Sequence, residues 1–327
     1  MEKAKAFCED HEINLDEALA ADTTFNKVHL FKTWADKLLE KDDYWKEYKV
    51  YENTVASLYE ACKPEILEGQ FRPMIAVIQY LRGVVESIIS QTDIDEIKQK
   101  IDDLLDQSIV TSDGAMMVAE FKPEYQILKK GKTLDLSKID FDKLKGEFKQ
   151  KEFKNIEIAN LRDFIQQKLE QMLNENSTRT DFAEKLQQII DKYNSGGMTT
   201  ENYFDDLVKY AEDMKSEDER HVREGLSKDE LELFDVLKKE KMTKAEEVKV
   251  KNAAKHLLKR LVEEQPKVLI QDWFKDSQSQ IKVKSAIKEV LDSDLPTTYD
   301  KKLFQNKSQK LYDLVYEYAS RGLKWAS

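Results

Sequence analysis

Met74-Ile75-Ala76-Val77-Ile78-Gln79-Tyr80-Leu81-Arg82-Gly83-Val84-Val85-Glu86-Ser87-Ile88-Ile89 decides how the rest of the chain is read. It is too long for an ordinary strand and is apolar around most of a helical circumference, so residues 73–90 are expected at the centre of an N-terminal helical bundle. Gln79, Arg82 and Glu86 interrupt it. The run therefore falls short of the ~18–20 uncharged apolar residues that span a bilayer.

Helical periodicity continues on both sides. Phe25, Val28, Phe31, Ala35, Leu38 and Leu39 fall on one face of an upstream segment. Trp45, Tyr48, Val55, Leu58, Tyr59 and Cys62 do so on the next, which Pro64 and Gly69 end. Downstream, Asp93 and Glu96 can cap a helix carrying Ile94, Ile97, Ile101, Leu104 and Leu105. Periodicity then fails between Ile109 and Leu136, where Asp113-Gly114 and Lys130-Gly131 signal turns and Met116–Phe121 could form one short strand.

Beyond that break the helix signals are chemical as well as periodic. Thr178 and Asp181 are expected to start a helix that stops at Asn194-Ser195-Gly196-Gly197, because glycine and asparagine tolerate a left-handed C-cap. Ser216 with Glu219 is expected to open a short helix closed by Gly225. Leu226-Ser227-Lys228-Asp229-Glu230-Leu231 offers a capping box and a hydrophobic staple, and Thr243 with Glu246 offers a second box. Two more helices, near 277–292 and 300–319, flank Leu295-Pro296. The expected fold is all-α: a helical domain at 1–110, an irregular linker at 111–136 with at most a minor β element, and a helical domain at 137–327.

Composition agrees. Nine Gly and five Pro in 327 residues are few for a sheet fold that needs many tight turns. Cys8 and Cys62 are too few and too far apart for a disulfide framework, and the start of the chain lacks a signal-type apolar segment, so a reducing, cytoplasmic setting is expected. The formal charge of −11 is uneven. Lys238–Lys310 holds 18 Lys and Arg against 11 Asp and Glu, residues 311–327 balance, and residues 1–237 carry −18. That asymmetry points the C-terminal third towards an anionic partner, and equally describes a solvated lysine-rich face.

No catalytic motif is found. The sequence lacks GxxxxGK[ST], GxGxxG, GxSxG and HExxH. His11, His29, His221 and His256 have no second histidine at metal-sharing spacing. What remains is a candidate binding feature. Lys251, Lys255 and Lys259 recur every four residues on one helix, and Lys282, Lys284 and Lys288 enrich the next, a pattern that could neutralise phosphates without reading sequence. Trp273 and Phe274 beside them read as packing residues.

Dispersed blocks then resemble a known family. They run from Leu134-Asp135-Leu136-Ser137-Lys138-Ile139-Asp140-Phe141 through Leu161-Arg162-Asp163-Phe164-Ile165 to Asn176-Ser177-Thr178-Arg179-Thr180-Asp181-Phe182. They continue with Gly225-Leu226-Ser227, Leu233-Phe234-Asp235, Asp272-Trp273, Ile287-Lys288-Glu289-Val290-Leu291-Asp292 and Leu295-Pro296. In this order they resemble the C-terminal region of the restriction (R) subunit of type I restriction–modification enzymes. Phe7-Cys8-Glu9, Leu58-Tyr59 and Phe71-Arg72-Pro73 resemble the segment after that subunit's motor. After Asp272-Trp273 the family tends to be strongly basic, whereas Phe274, Asp276, Ser277 and Ser279 dilute that character here.

The resemblance implies a fragment that follows an ATP-dependent DNA translocase and endonuclease and docks onto the modification (methyltransferase) and specificity subunits. It implies double-stranded DNA as a further partner, ATP and Mg²⁺ for the parent enzyme, and no cofactor or catalytic residue in this chain. A free-standing helical DNA-binding or scaffold protein is the alternative.

Overall fold

The computed structural model describes residues 1–21, 24–62, 72–90, 136, 139–264 and 267–325. Every regular element among them is helical, so the fold is all-α. In chain order these are α1 Glu2–Asp10, α2 Leu15–Ala20, α3 Thr24–Leu38, α4 Asp42–Ala61, α5 Arg72–Ser90, α6 Phe141–Phe148 and α7 Lys154–Glu175. There follow α8 Thr180–Asn194, α9 Thr200–Asp218, α10 Arg220–Glu224, α11 Lys228–Leu237, α12 Lys244–Val262, α13 Ser277–Asp294 and α14 Lys301–Ser320. A 3-10 turn, Trp273–Lys275, precedes α13. The expected linker at 111–136 (Leu136 apart), the helix after Asp93 and the strand at Met116–Phe121 lie outside the described residues.

The chain divides into two units: Met1–Lys168 with Lys185–Glu212, and Leu169–Glu184 with Asp213–Ser327. Part of the segment expected as a C-terminal domain, 137–327, thus groups with the N-terminal helices.

In the first unit α5 packs against α2, α3 and α4, the central place its apolar circumference predicts. Ile78, Leu81 and Val85 are almost wholly buried, alongside Trp34, Ala35 and Leu38 of α3. Each such aliphatic side chain contributes about 1.5–3 kcal/mol by leaving water. The polar interruptions of α5 have partners that explain them. Arg82 binds the buried carboxylate of Glu52 on α4, Glu86 one turn on (2.9 Å), and Asn53 (2.6 Å). The Tyr48 hydroxyl donates to the Ile78 carbonyl at 2.8 Å. Two residues expected on the inner face of α4, Leu58 and Cys62, are instead exposed. Glu52 takes an inward position because Arg82 neutralises it. In the remaining helices of this unit, Phe148 stacks on Phe204 and Tyr193 on Tyr203.

The second unit is built on α11–α14. Leu231, Leu233, Leu237, Val250, Leu257, Trp273, Leu291 and Val315 form its dry centre. Both expected capping boxes are present. Ser227 accepts from the Glu230 amide while Glu230 accepts from the Ser227 amide, and Thr243 and Glu246 do the same. Leu226 and Leu231 share the core, completing the staple. Asp276 and Asp300 cap α13 and α14 with their side chains.

Two expected starts differ. α8 begins at Thr180, because the Thr178 amide and hydroxyl both bind the side chain of Asn176 and form a turn of their own. Ser216 lies inside α9 and caps nothing; α10 starts after Glu219. The end of α8 is as expected. Gly196, at φ +77°, donates to Tyr193 O while Gly197 donates to Lys192 O, the paired bonds of a glycine C-cap.

Candidate functional site

Lys251 is withdrawn from solvent. Its ammonium lies 2.5 Å from Glu224 and 2.7 Å from Glu247, and 5.6 Å over the ring of Phe234. Burial alone would lower its pKa; the two carboxylates outweigh that and raise it. Lys255 and Lys259 are exposed and enter no ion pair among the described residues. At about 100° per residue each four-residue step drifts about 40°, so the three lysines fan out. Lys251 turns towards α10 and α11, and Lys259 lies about 80° around the helix from it.

Lys255 and Lys259 belong to a longer exposed stripe along α12: Lys244, Val248, Asn252, Lys255, Lys259 and Val262. These six sit within about 40° of Val248 around the helix, and no acid falls among them. Val248 and Val262 are 56% and 44% exposed, so the stripe is both basic and apolar.

The lysines of α13 do not gather with one another. Lys284 sits with its ammonium 4.2 Å from the ring centre of Tyr312, a cation–π contact with α14. Lys288 is exposed about 40° around from it. Lys282 lies about 120° or more from both and faces Asp276, whose carboxyl is held below its ordinary range, first by Ser279 and in smaller part by Lys282. The residues that dilute the basic segment after Trp273 therefore have a structural task. Ser279 donates its amide and hydroxyl to Asp276, at 2.8 and 2.7 Å, and so starts α13. Trp273 is fully buried, as its packing reading requires.

A second arrangement was not foreseen. Glu232 of α11 is 0% exposed, yet its carboxylate accepts from the Tyr318 hydroxyl (2.6 Å), the Ser177 amide (2.9 Å), the Ser177 hydroxyl (3.1 Å) and Lys324 (3.0 Å). Nearby, Asn176 donates to Asp235 (3.0 Å), which Arg220 also grips, and Arg220 and Arg179 share Glu217. The residues that carry the family resemblance at 176–179 and 233–235 thus meet in one polar cluster. The sequence carried no signal for it: Leu231, Leu233, Phe234 and Leu237 leave an arc of about 200° around α11 with Glu232 at its middle, which reads as a solvent face. Burial, then the Glu232 carboxylate, push the Tyr318 phenol well above its ordinary pKa. Each acid here is already bridged to a donor, so the cluster positions chain segments and holds no free base or nucleophile.

The histidines are dispersed. His11 contacts the Phe7 carbonyl, His29 pairs with Glu152, His221 contacts the Asp218 carbonyl and His256 pairs with Asp294. Among the described residues no group of His, Cys, Asp and Glu is placed to hold a metal ion. No described helix is long and apolar enough to cross a membrane.

Compared with known protein families, residues 1–323 match the family described as "Type I restriction enzyme HindI endonuclease subunit-like, C-terminal". Neither the comparison with curated proteins nor that with solved structures returns a match.

Proposed function

The chain belongs to the type I restriction enzyme HindI endonuclease subunit-like C-terminal family, and on that premise we propose that it is the helical assembly region of such a subunit. In this reading it docks the subunit onto the modification and specificity core, and its basic C-terminal helices lie beside DNA. ATP, Mg²⁺, translocation and cleavage belong to other segments of the parent enzyme, which works in the cytoplasm.

The supporting observation is the α12 stripe. Exposed Val248 and Val262 on either side of Lys255 and Lys259 suit an acidic, partly apolar protein face better than bulk water alone. Lys255 and Lys259 would also tolerate a phosphate backbone, though nothing beside them reads bases.

Gel filtration of the chain with the modification core tests the docking. Co-elution at micromolar concentration is expected, together with at least a tenfold weakening in a Lys255→Glu/Lys259→Glu variant of unchanged melting temperature. Absence of any complex would overturn the assignment. The free-standing DNA-binding alternative predicts duplex binding without the core, with a log–log salt slope of about one unit per phosphate contacted.

A further inference from the structure

Helix α14 ends by turning its tail back on the second unit. Gly322, at φ +67°, donates to Ala319 O (3.1 Å) and Leu323 to Tyr318 O (3.0 Å), which stops the helix and reverses the chain. Three residues then make contacts out of proportion to their number. The Lys324 ammonium reaches Glu232 (3.0 Å), Asp229 (2.9 Å) and the carbonyl of Glu175 (2.7 Å), and lies over the rings of Tyr318 and Trp325. The Trp273 indole donates to the Trp325 carbonyl at 2.9 Å, and the Trp325 ring meets Tyr318 edge-on.

Trp325 holds φ +56°, the left-handed region that a bulky side chain enters only when its surroundings impose it. The docked contacts of its carbonyl and its ring hold it there. The same contacts lead inward. Lys324 is the cation paired with Glu232 among the described residues, and Glu232 in turn holds both the amide and hydroxyl of Ser177. Ser177 lies in the connector between α7 and α8.

We propose that Leu323–Trp325 is a strap: docked, it fixes the 175–179 connector through Glu232 and through the bond of Lys324 to the Glu175 carbonyl, and lifting it loosens that connector while the α11–α14 core stays folded. The strap is poised because the Trp325 backbone opposes the docked state that Lys324 and the two tryptophans support. Lifting it would leave Glu232 buried without its cation, and the Ser177 bonds that depend on that carboxylate would weaken next. This inference does not rest on the docking function.

Hydrogen exchange on the full chain, resolved by residue, tests it. In Lys324→Met the Ser177 amide and its neighbours at 175–179 should exchange about tenfold faster than in the parent, with Val290 and Leu291 of α13 within twofold. Lys324→Arg, which keeps the charge, should restore protection. In Glu232→Gln the amides of Leu323–Trp325 should lose protection, since the seat has lost its charge. Unchanged exchange at 175–179 overturns the strap. So does equal acceleration throughout α11–α14, which would make Lys324 a general stabiliser.

Discussion

The two units tie distant chain segments together with the same tool, a carboxylate that crosses a long stretch of sequence, yet they place it differently. In the first unit Asp36 of α3 accepts the amides of Asn155 (2.8 Å) and Ile156 (3.0 Å), capping α7 from 119 and 120 residues away. Asp42 likewise takes Arg162 and Asn194. These carboxylates are only part-buried, and the buried acid of this unit, Glu52, pairs with Arg82 only thirty residues on. In the second unit Glu232 is sealed completely, and its partners Ser177, Tyr318 and Lys324 surround it. A half-buried acid can fall back on water if it loses a partner. A sealed one cannot, and the unit that depends on it should be the more sensitive to a single change.

Glu232→Ala is the strongest test of that contrast. It strands Lys324, Tyr318 and the Ser177 amide, and should cost the second unit about 3–5 kcal/mol in denaturant unfolding. A loss no larger than that of Asp36→Ala would break the comparison. Asp36→Ala removes a cap but leaves the freed amides within reach of water, so about 1–2 kcal/mol is expected, read from probes in the first unit. Burial raises the Asp36 pKa despite the amides it accepts, so its ionised form already carries a penalty that tempers this loss.

Thr243→Ala sharpens the picture from the exposed side. It deletes one capping box of α12 and should cost about 1 kcal/mol, with the Lys255 and Lys259 stripe still bound to any partner it has. The smallest effect is in pH. Lys239, the Thr243 amide and Thr298 hold Glu246 well below its ordinary value of 4.5. A depressed acid contributes stability that is complete above 4.5 and is lost as the pH falls below it towards the folded-state value. Glu246→Gln should therefore flatten part of the acid-side decline in a series of melting curves between about pH 5 and 3, and leave the Asp36 contribution, which runs in the opposite sense, in place.

Much of the architecture could be read in advance because its causes are local. Ser227 with Glu230 and Thr243 with Glu246 announce their helices within four residues, and Gly196 announces the end of another. Leu58 and Cys62 were misplaced because a periodic face says which residues could turn inward, and only the pairing of Glu52 with Arg82, thirty residues away, decides which do. Ser216 looked like a cap because its spacing to Glu219 fits one; α9 runs through it. The lysines were found, but their dispersal was not. Lys251 is claimed by Glu224 and Lys284 by Tyr312, neighbours that no spacing rule on one helix can supply. Glu232 was invisible for the same reason, since its partners lie 55, 86 and 92 residues from it.

The reach of Asp36 has a kinetic consequence. Joining residues 36 and 155 closes a loop whose entropy is recovered only after most of the first unit has been synthesised and gathered. α11 and α12, six residues apart and each with its own capping box, can pair as soon as both exist. In a refolding experiment the later-synthesised helices should therefore acquire structure first, and the first turn of α7 should wait, as a half-made coil, for an aspartate that left the ribosome long before it.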